Sequence, residues 1–287
     1  NNYNKMSNDA KSKIEIVGQD QGPVTVGIPK ALIESGLFHV RKAEITPKDI
    51  ETIVRLEALA FASKDSISLN PRETSEGIER FLRSGGDIYI IFGDNGIANG
   101  FAETIPLERM FSIKHDDLQD SSPLRQIAER RDLLKRAEKH YSPVSKEVWY
   151  VHGVGIGSKG IGDRTALVRF LNEELEKSKG SIYFGYIDIG PTKEFINISS
   201  FRLFMGLGAV VDGYKPEVYA EGVPYLRVSY GVNYQLDRDD TRVVDLSKRA
   251  YKHEIRKALE AGYIGTQIAF DGQTKTYSMV FQKQLTK

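Results

Sequence analysis

The residues best suited to chemistry fall in one stretch, VWYVHGVGIGSKGIGDRTALVRFLNEEL, positions 148–175. An apolar run suited to a strand leads into a glycine-rich loop, and an amphipathic helical pattern follows. That order presents bare backbone amides, backed by a helix N-terminus, to a phosphate. Two phosphate-binding classes fit poorly. Gly155-x-Gly157-x-x-Gly160 matches the dinucleotide fingerprint literally, yet that fingerprint needs an acid about 20 positions on, at the end of the next strand, and Asp188 comes too late. The loop of nucleoside triphosphatases needs a lysine and then serine or threonine after its last glycine. Here Gly162 is followed by Asp163 and Arg164.

The elements around this stretch are legible from periodicity and punctuation. LFHVRKAEI reads as a strand, and TPKDIETIVRLEALAF as a helix with Thr46 as cap and Pro47 in its first turn. A second helix, ETSEGIERFLRSGG, stops at Gly85-Gly86, and DIYIIFGDNGIANGFAETI reads as a hairpin around Asp94-Asn95-Gly96. Residues 106–145 form a charged insertion that reads as a solvated surface helix from about Pro123 to Lys139. After position 175 come the strand SIYFGYIDI, the helix KEFINISSFRLFMGLG and the strand-like VPYLRVSYGVNYQL. The tail, 236–287, predicts one helix over VVDLSKRAYKHEIRKALEAG and a hairpin turning at Asp271-Gly272. That hairpin is apolar on alternate positions, so it must pack on this domain or on a second subunit, which leaves a homodimer open.

Composition narrows the classes further. Lysine and arginine number 40 against 39 acidic residues, a formal net charge of +1, so no global field draws nucleic acid or a membrane surface. There is no cysteine, which excludes disulfides, thiol nucleophiles and cysteine-ligated metals. The histidines are scattered, giving no metal-ligand spacing. Residues 1–36 read as a polar leader with a short helix and without the apolar core of a secretory signal, and a cytoplasmic protein fits.

The order of elements resembles the GNAT superfamily of N-acetyltransferases, over about residues 38–235. In that family the loop after the central strand reads Arg/Gln-x-x-Gly-x-Gly/Ala. Gly157-Ser158-Lys159-Gly160-Ile161-Gly162 matches both glycines, with Gly157 in the Arg/Gln position. Asn197-Ile-Ser-Ser200-Phe-Arg-Leu-Phe204-Met-Gly-Leu-Gly208 resembles the helix that closes over the coenzyme arm, with Phe204 where the family has tyrosine. The resemblance implies an α/β (α+β) fold: a mixed, largely antiparallel central sheet flanked by helices, here at 37–235, with the helical insertion and a C-terminal helix plus β-hairpin added. It also implies acetyl-CoA as cosubstrate and a small-molecule or peptide amine as acceptor.

The resemblance assigns roles residue by residue. Main-chain groups of Val154, Gly155 and Ile156 would bind the pantetheine arm and polarise the thioester carbonyl. The loop from Gly157 through Ser158, Lys159, Gly160, Ile161 and Gly162 to Asp163 would wrap the pyrophosphate. Asn197, Ser200 and Phe204 would line the arm. Glycines at 153, 155 and 157 would leave the strand edge uncovered for the coenzyme. Direct attack by an amine requires a proton acceptor, for which His152 has the best intrinsic pKa, with Glu103 and Asp188 as alternatives. The leaving thiolate takes an acid from Tyr186, Tyr214 or Ser200, or departs unaided, since a thiol titrates near 8.5.

Overall fold

The computed structural model describes residues 39–60, 74–92, 96–112, 131–141, 147–156, 167, 170–175, 180–190, 197–215 and 224–285. The leader and the insertion before Arg131 lie outside that set, save the end of β3 and the short helix after it. The strands are β1 (His39–Lys42), β2 (Asp87–Phe92), β3 (Ala98–Pro106), β4 (Val148–Ile156), β5 (Ile182–Asp188), β6 (Val210–Lys215), β7 (Tyr225–Tyr230), β8 (Leu236–Asp245), β9 (Tyr263–Asp271) and β10 (Thr276–Gln284). They form one sheet in the order β1-β2-β3-β4-β5-β7-β6-β9-β10-β8. Every neighbouring pair is antiparallel except β4 with β5. This is the expected mixed, largely antiparallel α/β architecture.

The helices are α1 (Pro47–Ala60), α2 (Ser75–Arg83), α3 (Leu107–Ser112), α4 (Arg131–Tyr141), α5 (Ile198–Gly206) and α6 (Tyr251–Glu260). Helical residues 170–175 lie between β4 and β5. One core cluster joins α1, α2 and α4 to the sheet through Ile50, Ile53, Leu56, Ile78, Phe81, Ala137 and Tyr141. Two others join α5, α6 and Leu167 and Phe170 to the sheet, through residues such as Phe201, Ile255 and Val211. The sheet is therefore sandwiched between two helical layers. Ile53 and Leu56 are wholly buried, each contributing about 1.5–3 kcal/mol of transfer free energy.

Local chemistry explains where α1 and α2 start. Thr46 Oγ1 accepts from Asp49 N at 3.3 Å. The Asp49 carboxylate takes the Arg41 guanidinium as a fork, at 2.6 and 2.5 Å, and the Glu44 amide at 2.9 Å. The Arg41 hydrogen bonds hold that carboxyl below the usual range. Thr74 caps α2 by accepting from Gly77 N at 3.1 Å, and Gly85 ends it with φ +88°.

The tail departs from expectation in two places. Val243, Val244 and Asp245 close strand β8, and the helix begins only at Tyr251. Two adjacent β-branched residues pair with Val280 and Met279 of β10, and this ladder outweighs the helical periodicity of the stretch. The C-terminal segment is thus a strand, a helix and a hairpin. Asp271-Gly272 is also not a two-residue turn, because Asp271 pairs with Thr276 across residues 272–275. The Asp271 carboxylate accepts from the Gln273 and Thr274 amides, and the positive φ falls on Lys275. The α4 helix is not simply a solvated face, since Ala137 and Tyr141 are buried in the core. Among the described residues no helix is long and apolar enough to cross a membrane.

Candidate active site

Two neighbouring parallel strands part company in the middle of the sheet. β4 and β5 pair only at Val148–Ile182, Trp149–Tyr183 and Tyr150–Phe184. β4 continues to Ile156 and β5 to Asp188 without further register between them. Each strand keeps its other neighbour to the end: β4 stays on β3, and β5 stays on β7. The result is a wedge with its apex at Tyr150 and Phe184, opening toward the C-terminal ends of both strands. Backbone donors and acceptors of β4 beyond the apex face that wedge. In open α/β sheets the carboxyl ends of parallel strands are where ligands bind.

A β-bulge aims one candidate side chain. Glu103 of β3 pairs with Gly153 while Thr104 pairs with Val151, so His152 and Gly153 together stand opposite a single step of β3. The bulge places His152 among aromatic rings of the α1–α2 layer. Its ring centroid lies 5.8 Å from Phe81 and 6.0 Å from Tyr150. Tyr150 is in turn 6.4 Å from Tyr186, which meets Phe184 edge-on at 6.1 Å. Glu103 is 3% exposed, and its Oε2 would lie 2.8 Å from a β-carbon on Gly153. His152, Glu103 and Tyr186 are therefore brought to one face of the sheet beside the apex.

Asp188 ends β5 at the open end of the wedge, opposite Tyr225. Burial raises its carboxyl to about 6, within reach of neutral-pH proton transfer. Tyr214 belongs with the cluster under α5 and α6, on the other side from His152, and burial raises its phenol. The structure does not bring it to the same place.

The glycines work differently from the expectation. A β-carbon on Gly155 would stand 2.3 Å from the Phe101 ring and 2.7 Å from Ala60 Cβ of α1. The absent side chains of Gly153 and Gly155 make room for Glu103, Phe101 and α1 on one sheet face, not for a ligand at the edge. Val154 packs on the opposite face with Leu167, Phe170 and Leu203. Gly157, Ser158, Lys159, Gly160, Ile161, Gly162 and Asp163 lie outside the described residues.

Asn197 caps α5: its Oδ1 accepts from Ser200 N at 3.2 Å. Phe204 is half-buried and packs against both clusters of the α5 side.

A polar hub escaped the sequence reading. The Asp212 side chain is fully buried, and its Oδ1 accepts from Arg227 Nε at 2.7 Å. Its Oδ2 accepts from Tyr141 at 3.0 Å, Ser229 at 2.8 Å and Tyr234 at 2.7 Å. Burial and the Asp212 charge push the Tyr141 and Tyr234 phenols well above their usual range. Burial works against the Arg227 charge, but Asp212 outweighs it and keeps the guanidinium protonated. Arg227 is the cross-strand partner of Tyr186, so the hub braces the β5 side of the wedge and ties α4 to the sheet.

No protein-family model matches the chain, and no curated protein matches it. Solved acetyltransferase structures are similar to it. One is a mutant agmatine N-acetyltransferase in its apo form, at 9% identity over 68% of this chain and 99% of that chain, TM-score 0.48. Another is a putative acetyltransferase from Salmonella typhimurium with its cofactor acetyl-CoA, at 16% identity over 70% and 95%, TM-score 0.41. A third is an N-acetyltransferase from Staphylococcus aureus Mu50, at 9% identity over 68% and 97%, TM-score 0.42.

Proposed function

We propose that the protein is an N-acyltransferase that moves an acyl group, acetyl by default, from coenzyme A to a primary amine. The observation that carries this reading is the parting of β4 and β5 after Tyr150 and Phe184. A slot between two strands whose mutual register has ended suits an amide-bearing extended arm such as pantetheine, which can continue the β4 ladder.

In this reading the arm lies along Val154–Ile156, and their main chain polarises the thioester carbonyl. The loop amides of 157–163 and the helix that follows hold the pyrophosphate. Asn197 contributes its amide NH2, while Ser200 and Phe204 flank the arm. The acceptor enters from the face that carries His152, Glu103 and Tyr186. Its amine nitrogen attacks the thioester carbon, and charge collects on the carbonyl oxygen, where backbone donors stabilise it. The ammonium proton passes to a base among His152, Glu103 and Asp188. The carbon–sulfur bond breaks, and the thiolate leaves with a proton from Tyr186 or unaided. Glu103 and Asp188 give the site acidic character, which draws a cationic acceptor. The absence of cysteine fits a cytoplasmic setting.

Phe204 favours a second reading, a catalytically weak acyl-CoA-binding module, because its ring has no proton to give. Thiol release from acetyl-CoA with a panel of amines separates the two. Coenzyme binding with no turnover across the panel leaves the module. Absence of coenzyme binding removes both. Gly160→Val and Gly162→Val are expected to weaken coenzyme binding about tenfold or more, by displacing the phosphate-facing amides.

A further inference from the structure

The chain that leaves β5 is fastened by a helix far downstream. Asp188 ends the strand, and Ile189 and Gly190 carry the chain out of the sheet, Gly190 with φ +62°. Tyr251, the first residue of α6, donates its hydroxyl to the Ile189 carbonyl at 2.5 Å. Lys252, the second, donates its ammonium to the Gly190 carbonyl. From the other direction the Ile189 amide donates to Pro224 O at 3.0 Å. The segment just past Asp188 is thus held on both sides, by the entry to β7 and by α6.

Both carbonyls belong to buried residues, Ile189 at 1% exposure and Gly190 beside it. Tyr251 is 1% exposed, and its phenol is spent on one carbonyl. Lys252 is half-buried, and burial lowers the pKa of its amine. Desolvating an ammonium is unfavourable unless a good acceptor compensates, and a buried carbonyl needs a donor in place of water, so each group meets the other's requirement. Two adjacent side chains converge on two adjacent carbonyls, at the mouth of the wedge and immediately before the segment that leads to Asn197.

We propose that Tyr251 and Lys252 are positioning residues of the coenzyme site. They fix the end of β5, and so set the width of the wedge and the placement of Asp188. The C-terminal strand, helix and hairpin then complete the active site rather than decorate it. This inference rests on the acyltransferase reading.

The test uses the full chain with Lys252→Met and Tyr251→Phe, singly and together. Trp149, the single tryptophan, sits at the base of the wedge and reports coenzyme A titrations by its fluorescence. The double variant is expected to bind coenzyme A about tenfold more weakly, with a matching rise in KM for acetyl-CoA and little change in kcat. Lys252→Arg, which keeps the charged donor, restores binding. Lys257→Met, on the exposed side of the same helix, leaves it unchanged. If the double variant does not fold, Lys252→Met alone decides, with a loss of about fivefold or more expected. A variant that folds and binds within about twofold of the unaltered chain overturns the proposal. If the unaltered chain itself fails to bind coenzyme A, the acyltransferase reading falls, and this inference falls with it.

Discussion

Gly185 of β5 lies against Val151 of β4 where the two strands separate: a β-carbon on Gly185 would stand 3.1 Å from the Val151 carbonyl oxygen and 3.5 Å from its Cβ. A strand glycine with open space beside it gains about 0.5–1 kcal/mol on replacement by alanine. Here the contact is with backbone that cannot rotate away. Gly185→Ala is therefore expected to destabilise, by about 1–3 kcal/mol, and to weaken coenzyme binding by shifting the apex of the wedge. Thermal denaturation and a coenzyme titration check both effects, and a rise in Tm would show that the apex is not packed as described.

Asp188 has a sign that can be measured. Its carboxyl rises from 3.8 to about 6 through burial, so the folded state holds the proton more tightly than the unfolded chain. The associated stability is fully present below the unfolded value and is lost as pH rises toward and through 6. Asp188→Asn removes this loss. The variant should gain stability relative to the parent on going from pH 4 to pH 7 in urea melts. If Asp188 is the base, kcat/KM in the parent rises through an apparent pKa of about 6, and Asp188→Asn abolishes that limb.

His152 and Glu103 flank the same backbone step of the bulge, and their substitutions distinguish a base from a packing residue. A general base contributes roughly 100-fold to 10,000-fold. His152→Gln or Glu103→Gln, whichever removes the base, should lower kcat within that range while coenzyme binding stays near normal. A loss confined to stability, with kcat retained, would assign both to packing.

Asp212 with Arg227 gives an unequal pair of outcomes. Asp212→Ala leaves the guanidinium buried without its counter-charge and should cost about 3–5 kcal/mol. Replacing both, as Asp212→Leu with Arg227→Met, should cost much less, because two desolvation penalties disappear together. Chemical denaturation of the two variants checks the contrast, and equal losses would mean that the hub is held by its hydroxyl groups.

The parts of this protein legible in its sequence are those governed by near neighbours. Thr46 bonds an amide three residues away, and the start of α1 followed from that; Thr74 caps α2 in the same way, at a position one residue inside the segment read as helical. The strand Val148–Ile156 and the helix that ends at Gly206 were equally plain. The hub was not: Asp212 reads as an ordinary polar residue, and its partners are 15, 17, 22 and 71 positions away. The bulge at His152 was also hidden, because register belongs to a pair of strands and not to either one. Gly153 and Gly155 misled for a related reason, since what fills their empty side is Phe101, Glu103 and Ala60, which only the folded chain brings there. The wedge itself requires knowing where a ladder stops.

The ten strands are continuous, but β6 and β9 meet at one registered pair, Val211 with Gly265. A β-carbon on Gly265 would come within 3.0 Å of Val211 Cβ, so the two side-by-side backbones approach closely there. A seam this narrow is a natural boundary between cooperative units. Amide hydrogen exchange should find β9 and β10 protected to a different depth from β5 and β7, and coenzyme A, if it binds in the proposed wedge on the far side of the seam, should slow exchange in one block more than in the other.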